Sequence, residues 1–88
     1  MPVPSHTEIL QSLRTYCTDN FLYMKPDFVL RDEDKLLESG VLDSMGVMEL
    51  IGFLEERFGV TPKDDEITEQ NMGSLLAIAE LVGRKLAH

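Results

Sequence analysis

Between Ser44 and Phe58 the apolar residues Val47, Leu50, Ile51, Leu54 and Phe58 recur at intervals of three and four. At 3.6 residues per turn they fall within about 100° of one helix face. Met45, Glu49, Gly52 and Glu56 take the opposite side. Gly59 follows where a left-handed residue favours helix termination. At 1.5 Å per residue the segment predicts a rod of roughly 22 Å with one apolar stripe. Such a stripe has to be buried against other elements.

The rest of the chain supplies those elements as further helices. Ser5 and Glu8 form a capping box, and Ile9, Leu10, Leu13, Tyr16, Cys17 and Phe21 follow along one stripe, giving a helix over about 6–21. Cys17 lies inside that stripe and reads as core, not as a nucleophile. The run Lys25-Pro26-Asp27 ends the pattern. Residues 22–43 show no clear period. Phe28-Val29-Leu30 would suit a short strand, but no partner run with alternation exists. The segment therefore reads as a loop pinned by Phe28, Leu30, Leu36, Leu37, Val41 and Leu42, with one helical turn around Asp34–Ser39 and a change of direction at Gly40. A short helix is predicted over about 67–71. A last one over about 74–86 has Leu75, Ile78, Ala79, Val82 and Leu86 on its buried side, and Arg84 and Lys85 in its final turn suit the negative end of its dipole. The expectation is an all-α four-helix bundle, three main amphipathic helices and a short third one, forming a single domain over residues 1–88.

Composition narrows what such a bundle can do. With 88 residues and one cysteine, the chain has no internal disulfide framework and no cysteine-based zinc site. A formal charge of −8 opposes nucleic acid and anionic lipid and favours basic protein partners. Residues 43–66 hold seven acids (Asp43, Glu49, Glu55, Glu56, Asp64, Asp65, Glu66) against Arg57 and Lys63. This concentration is compatible with a solvated helix face or with a docking face. No apolar run approaches the ~20 residues of a membrane span, and Met1 to His6 show no signal-peptide pattern. A cytoplasmic monomer is expected. The histidines, His6 and His88, stand at the two ends without partners. Asp32-Glu33-Asp34 and Asp64-Asp65-Glu66 lack the glycine and terminal glutamate of a calcium loop, so neither catalysis nor a metal is expected.

The start of the second helix carries one feature beyond packing. Asp and Ser are common helix caps. If Asp43 takes the amide of Met45 or Gly46, the hydroxyl of Ser44 is not needed for capping. It then lies at the positive end of the helix dipole, a place suited to a phosphodiester. Gly46 leaves room in the first turn, and Met45 and Met48 are adaptable apolar contacts beside the same point.

The run Leu37-Glu38-Ser39-Gly40-Val41-Leu42-Asp43-Ser44-Met45, followed by Glu49-Leu50 and by Leu54-Glu55-Glu56-Arg57-Phe58-Gly59-Val60, resembles the acyl carrier proteins of the phosphopantetheine-attachment family. The similarity covers residues 7 to 87. It implies a four-helix bundle with a short third helix, and a non-enzymatic role. It also implies that Ser44, flanked by Asp43 and Met45, takes 4′-phosphopantetheine from coenzyme A through a phosphopantetheinyl transferase. The arm's thiol would then carry acyl, aminoacyl or polyketide groups as thioesters from a loading ligase to a downstream synthase or transferase. By the same resemblance Met48, Glu49, Gly52, Glu55 and Glu56 belong to a face that docks basic patches. Fatty-acid members usually show an acid shortly after the serine. The stretch Gly40 to Gly46 is more similar to D-alanyl carrier proteins and to free-standing aminoacyl or polyketide carriers, and it suggests a discrete protein. The alternative is an acidic adaptor that binds a basic protein surface and carries nothing.

Overall fold

A computed structural model of the chain describes residues 4–23 and 27–87, apart from the side chain of Ser44. Pro26 and His88 lie outside the described residues. The main elements are α1 (His6–Phe21), α2 (Ser44–Phe58), α3 (Glu69–Met72) and α4 (Leu75–Leu86), with a 3₁₀ turn at Asp64–Glu66 before α3. There is no strand among the described residues. No helix among them is long and apolar enough to cross a membrane.

Local chemistry sets the ends of these helices. Ser5 Oγ accepts the Glu8 amide at 3.2 Å to open α1. Ser74 Oγ accepts that of Ala77 at 3.1 Å to open α4. Gly59 closes α2 with φ 69°, the left-handed geometry that costs glycine little. The short third helix begins later than its sequence suggests. Thr68 is extended, with φ −127°, and its hydroxyl accepts the Asn71 amide, so helical geometry starts at Glu69. Ile67, read as helical, instead bridges the 3₁₀ turn and this cap, with its side chain half-buried.

The apolar stripes meet in one core. Ile9, Leu13 and Cys17 of α1, Leu50, Ile51 and Leu54 of α2, and Leu75, Ile78, Ala79 and Val82 of α4 are all buried. Leu81 joins them from outside the stripe read in α4. Each large aliphatic side chain buried this way contributes about 1.5–3 kcal/mol. Cys17 is fully enclosed, and its desolvation pushes the thiol pKa up to about 12. A second packed flank of α2 escapes the main stripe. Phe53 stacks on Tyr16 of α1 with ring centroids 4.2 Å apart, and the Tyr16 hydroxyl donates to the Glu49 carbonyl at 3.3 Å.

The connection from α1 to α2 is irregular but anchored. Leu30, Leu36, Val41 and Leu42 are buried, and Phe28 packs partly against the core. Leu37, expected among the pins, is 54% exposed. The Ser39 amide donates to the Lys35 carbonyl at 2.9 Å, closing one helical turn. Consecutive residues in such a turn point about 100° apart, so a buried Leu36 turns Leu37 outward. Gly40 then takes φ 81° and reverses the chain. The Leu36 amide donates to the Gly73 carbonyl at 2.8 Å, and the Leu76 amide donates to the Asp32 carbonyl at 2.9 Å. Arg14 of α1 reaches the same stretch, donating to the Leu30 carbonyl and the Asp32 carboxylate.

One residue of each acidic run makes local bonds at the surface. Asp34 accepts the Arg31 amide at 3.0 Å. Glu66 pairs with Lys85 at 2.6 Å and also accepts the Lys63 amide, which together hold its carboxyl below the usual range. Among the described residues no cluster of three potential ligands could hold a metal ion.

Two glycines make opposite predictions. A Cβ at Gly73 would lie 2.2 Å from the Glu69 carbonyl oxygen, whereas one at Gly52 meets nothing within 4 Å. Gly73→Ala is expected to lower stability by about 1–3 kcal/mol through overpacking. Gly52→Ala, on an exposed helix face, is expected to raise it by about 1 kcal/mol. Urea unfolding followed by circular dichroism measures both.

Candidate functional site

The candidate site is the first turn of α2 and the surface that runs from it along the helix. Asp43 is extended (φ −114°, ψ −173°), and its Oδ1 accepts the Gly46 amide at 2.7 Å. This is a charge-assisted cap, made to Gly46 rather than Met45. The Val47 amide donates to the Asp43 carbonyl at 3.0 Å and begins the regular ladder. Ser44 is therefore the first helical residue and follows a residue that already supplies the cap. Its own side chain lies outside the described residues.

Gly46 has a different job from the one its sequence context suggests. It is buried, and a Cβ there would come within 3.1 Å of Leu42, 3.3 Å of Asp43 and 3.4 Å of Phe21. The space is filled by the protein itself. Gly46 lets the end of α1 and the last loop residues close against the first turn of α2.

The remaining candidate residues share one side of the helix. Counting about 100° per residue, Met45, Met48, Glu49, Gly52, Glu55 and Glu56 span an arc of about 120°. All are exposed, with Met45 at 74% and Met48 at 65%. Two large flexible apolar side chains thus border the helix start, and three carboxylates continue toward the C-terminal end. The first turn of α2 contains no acid, so beyond the Asp43 carboxylate, which takes the Gly46 amide, no further negative charge offsets the positive end of the dipole. Asp64 and Asp65 are exposed on the 3₁₀ turn, outside this arc.

Several residues that shape the site are not evident from the motif. Phe21 and Leu42 bound Gly46, and Phe53 seats α2 on α1 through Tyr16. Arg14 and Asp32 tie the preceding loop to α1. The available signal for Arg14 is its position, three residues before Cys17 and four after Leu10, on the edge of an otherwise apolar stripe.

Comparison with known proteins gives a family and several relatives. The family described as "Phosphopantetheine attachment site" matches residues 21–82. A D-alanyl carrier protein of Streptococcus suis (strain 98HAH33) is 55% identical over 40 residues, 46% of this chain and 49% of that protein. The chain thus spans about half the length of that relative. One from Abiotrophia defectiva is 29% identical over 80 residues, covering 91% of this chain and 94% of its own length. Among solved structures, the solution structure of a holo acyl carrier protein from Nitrosomonas europaea superposes with a TM-score of 0.73 at 34% identity. That match covers 90% of this chain and 96% of the other.

The cap geometry sets an expectation for variants. Asp43→Ala removes the acceptor for the Gly46 amide and is expected to cost about 1 kcal/mol, whereas Asp43→Asn, which caps as well, is expected to cost only a few tenths. Paired thermal melts distinguish the two. Equal losses would mean that the charge, not the cap, is what α2 uses.

Proposed function

The chain belongs to the phosphopantetheine-attachment family of acyl carrier proteins, and on that premise we propose that Ser44 is the residue that accepts 4′-phosphopantetheine. The observation that carries this reading is the division of labour at the helix start. Asp43 supplies the cap, so the residue after it, at the amide end of a 15-residue helix, is not required for that role. The amides and dipole there suit the phosphodiester that esterification of a serine creates. Met45 and Met48 offer an adaptable apolar border for the arm and for whatever enzyme handles it. When attached, the arm supplies a thiol that holds a carboxylic acid as a thioester. Family members are carriers without catalysis of their own, and this chain's residues hold, present and release.

The relatives named as D-alanyl carrier proteins support an aminoacyl cargo over a long fatty chain, as does the absence of an acid in the first turn of α2. We propose that the chain acts as one carrier domain over residues 1–88, in the cytoplasm where coenzyme A is met. It receives the arm from a phosphopantetheinyl transferase and its cargo from an aminoacyl- or acyl-loading ligase, and passes that cargo to a downstream transferase or synthase. Glu49, Glu55 and Glu56, exposed on one arc with Met48 and Gly52, form the docking face for basic patches on those enzymes. Complementary charge speeds encounter while leaving contacts weak enough to release.

Two measurements test this. Incubation with coenzyme A, magnesium and a broad-specificity phosphopantetheinyl transferase is expected to add one phosphopantetheine by intact mass, and Ser44→Ala is expected to stay folded and unmodified. If the wild-type mass does not change while a control carrier is modified, the carrier reading fails and the acidic-adaptor reading takes its place. Glu49→Lys combined with Glu56→Lys is expected to slow arm transfer about tenfold at low salt, the lower end of electrostatic steering effects, with helicity unchanged. Unaltered kinetics would return both residues to a merely solvated face.

A further inference from the structure

We propose that Arg14, on α1 and thirty positions before Ser44, is a positioning residue for the modification; this rests on the reading of Ser44 as the attachment residue. Arg14 donates to two oxygens two residues apart, the Leu30 carbonyl and the Asp32 carboxylate. Asp32 is a joint between three elements. Its side chain holds α1 through Arg14, and its carbonyl accepts the Leu76 amide at 2.9 Å. That amide is one of the first-turn donors of α4 that lack an intrahelical partner, since the Ser74 cap takes Ala77 instead.

From this joint the chain passes through a series of fixed points to the attachment residue. The Leu36 amide donates to the Gly73 carbonyl at 2.8 Å, and the Leu36 carbonyl accepts the Leu42 amide at 3.1 Å and the Ser39 hydroxyl at 3.2 Å. Residues 36–42 are thereby closed into a ring that turns at Gly40. Leu42 then packs beside Gly46 and Phe21, and Asp43 caps α2. Among the described residues, Arg14 makes the only hydrogen bonds that tie α1 to the stretch 27–42. The Arg14 and Asp32 side chains are each a little over a third exposed. The clasp therefore sits at the edge of the core and can be removed without opening a cavity in it.

Losing the clasp is expected to leave the helices intact and let the loop sample arrangements in which Ser44 is presented differently. A transferase that accepts one arrangement then sees only a fraction of the carrier. Its apparent affinity falls by that fraction, while turnover of the bound complex is preserved. This signature separates positioning from contact with the reacting atoms.

The test uses Arg14→Met, which keeps the apolar stem, Arg14→Lys, which keeps the charge without the fork, and Asp32→Ala, which removes the side-chain acceptor but keeps the carbonyl bond to Leu76. Transfer kinetics are measured against carrier concentration, with backbone hydrogen exchange on the same unmodified proteins. In Arg14→Met the KM for carrier is expected to rise about tenfold with kcat held within about twofold, a modest share of the hundredfold that a 1 Å misplacement can cost. Arg14→Lys is expected to fall between Arg14→Met and wild type. The amides of Leu36, Leu42 and Leu76 should lose protection while those of Cys17 and Leu54 keep theirs. If Arg14→Met does not fold, Asp32→Ala carries the same expectations in direction and a smaller rise in KM, because the Arg14 bond to the Leu30 carbonyl remains. Equal KM values, a loss confined to kcat, or unchanged loop protection each overturn the assignment. A wild-type chain that takes no arm overturns the Ser44 reading and this assignment together. That result is distinct from a loaded wild type whose variants load with the same KM.

Discussion

The stretch 27–43, which forms no regular helix or strand, leads into the helix that carries the candidate serine, and its ordering is the constraint on which the remaining geometry rests. Fixing an irregular backbone costs about 1–2 kcal/mol per residue, and no internal ladder offsets it. The compensation comes from a few anchors. Leu30, Leu36, Val41 and Leu42 enter the core, and two backbone bonds tie Asp32 and Leu36 to the junction of α3 and α4. Gly73 is central because its carbonyl accepts one of those bonds and its missing side chain allows the tight turn against Glu69. The short third helix is thus a bracket for the loop, and the loop in turn sets where α2 begins.

At that beginning, packing and electrostatics are assigned to different residues. Leu42, Gly46 and Phe21 close the inner side by shape. Asp43 spends its carboxylate on one amide. The outward side keeps two exposed methionines followed by three exposed glutamates. On the proposed docking role this separation is useful, because an exposed face can be adaptable while the part that holds the helix cannot. The Tyr16–Phe53 stack seats α2 on α1 from the other flank, so α2 is held on two sides and open on the third.

The stripes of α1, α2 and α4 were legible because a long helix repeats its message: Leu50, Leu54, Ile78 and Val82 declare a face several times over. The cap at Asp43 and the stop at Gly59 were legible because each acts within four residues. What escaped depends on partners distant in the chain or on direction within irregular backbone. Phe53 lies outside the main arc of α2, and its partner Tyr16 is on another helix. Arg14 and Asp32 are eighteen residues apart. Leu37 is as apolar as Leu36, and hydrophobicity alone does not say which of two neighbours faces inward. The third helix has only four residues, too few for a period, so the half-buried Ile67 looked like its first turn until the bond from the Asn71 amide to Thr68 set its start.

The enclosure of Cys17 acquires meaning from the chemistry of thioesters. Activated acyl groups migrate between sulfur atoms whenever a second thiolate is within reach. This protein's own sulfhydryl is sealed beneath α1, with a pKa near 12. Burial disfavours the reactive thiolate there. On the proposed carrier reading, a load hung on a tethered sulfur would meet no competing thiol at Cys17, because the packing that builds the core encloses it.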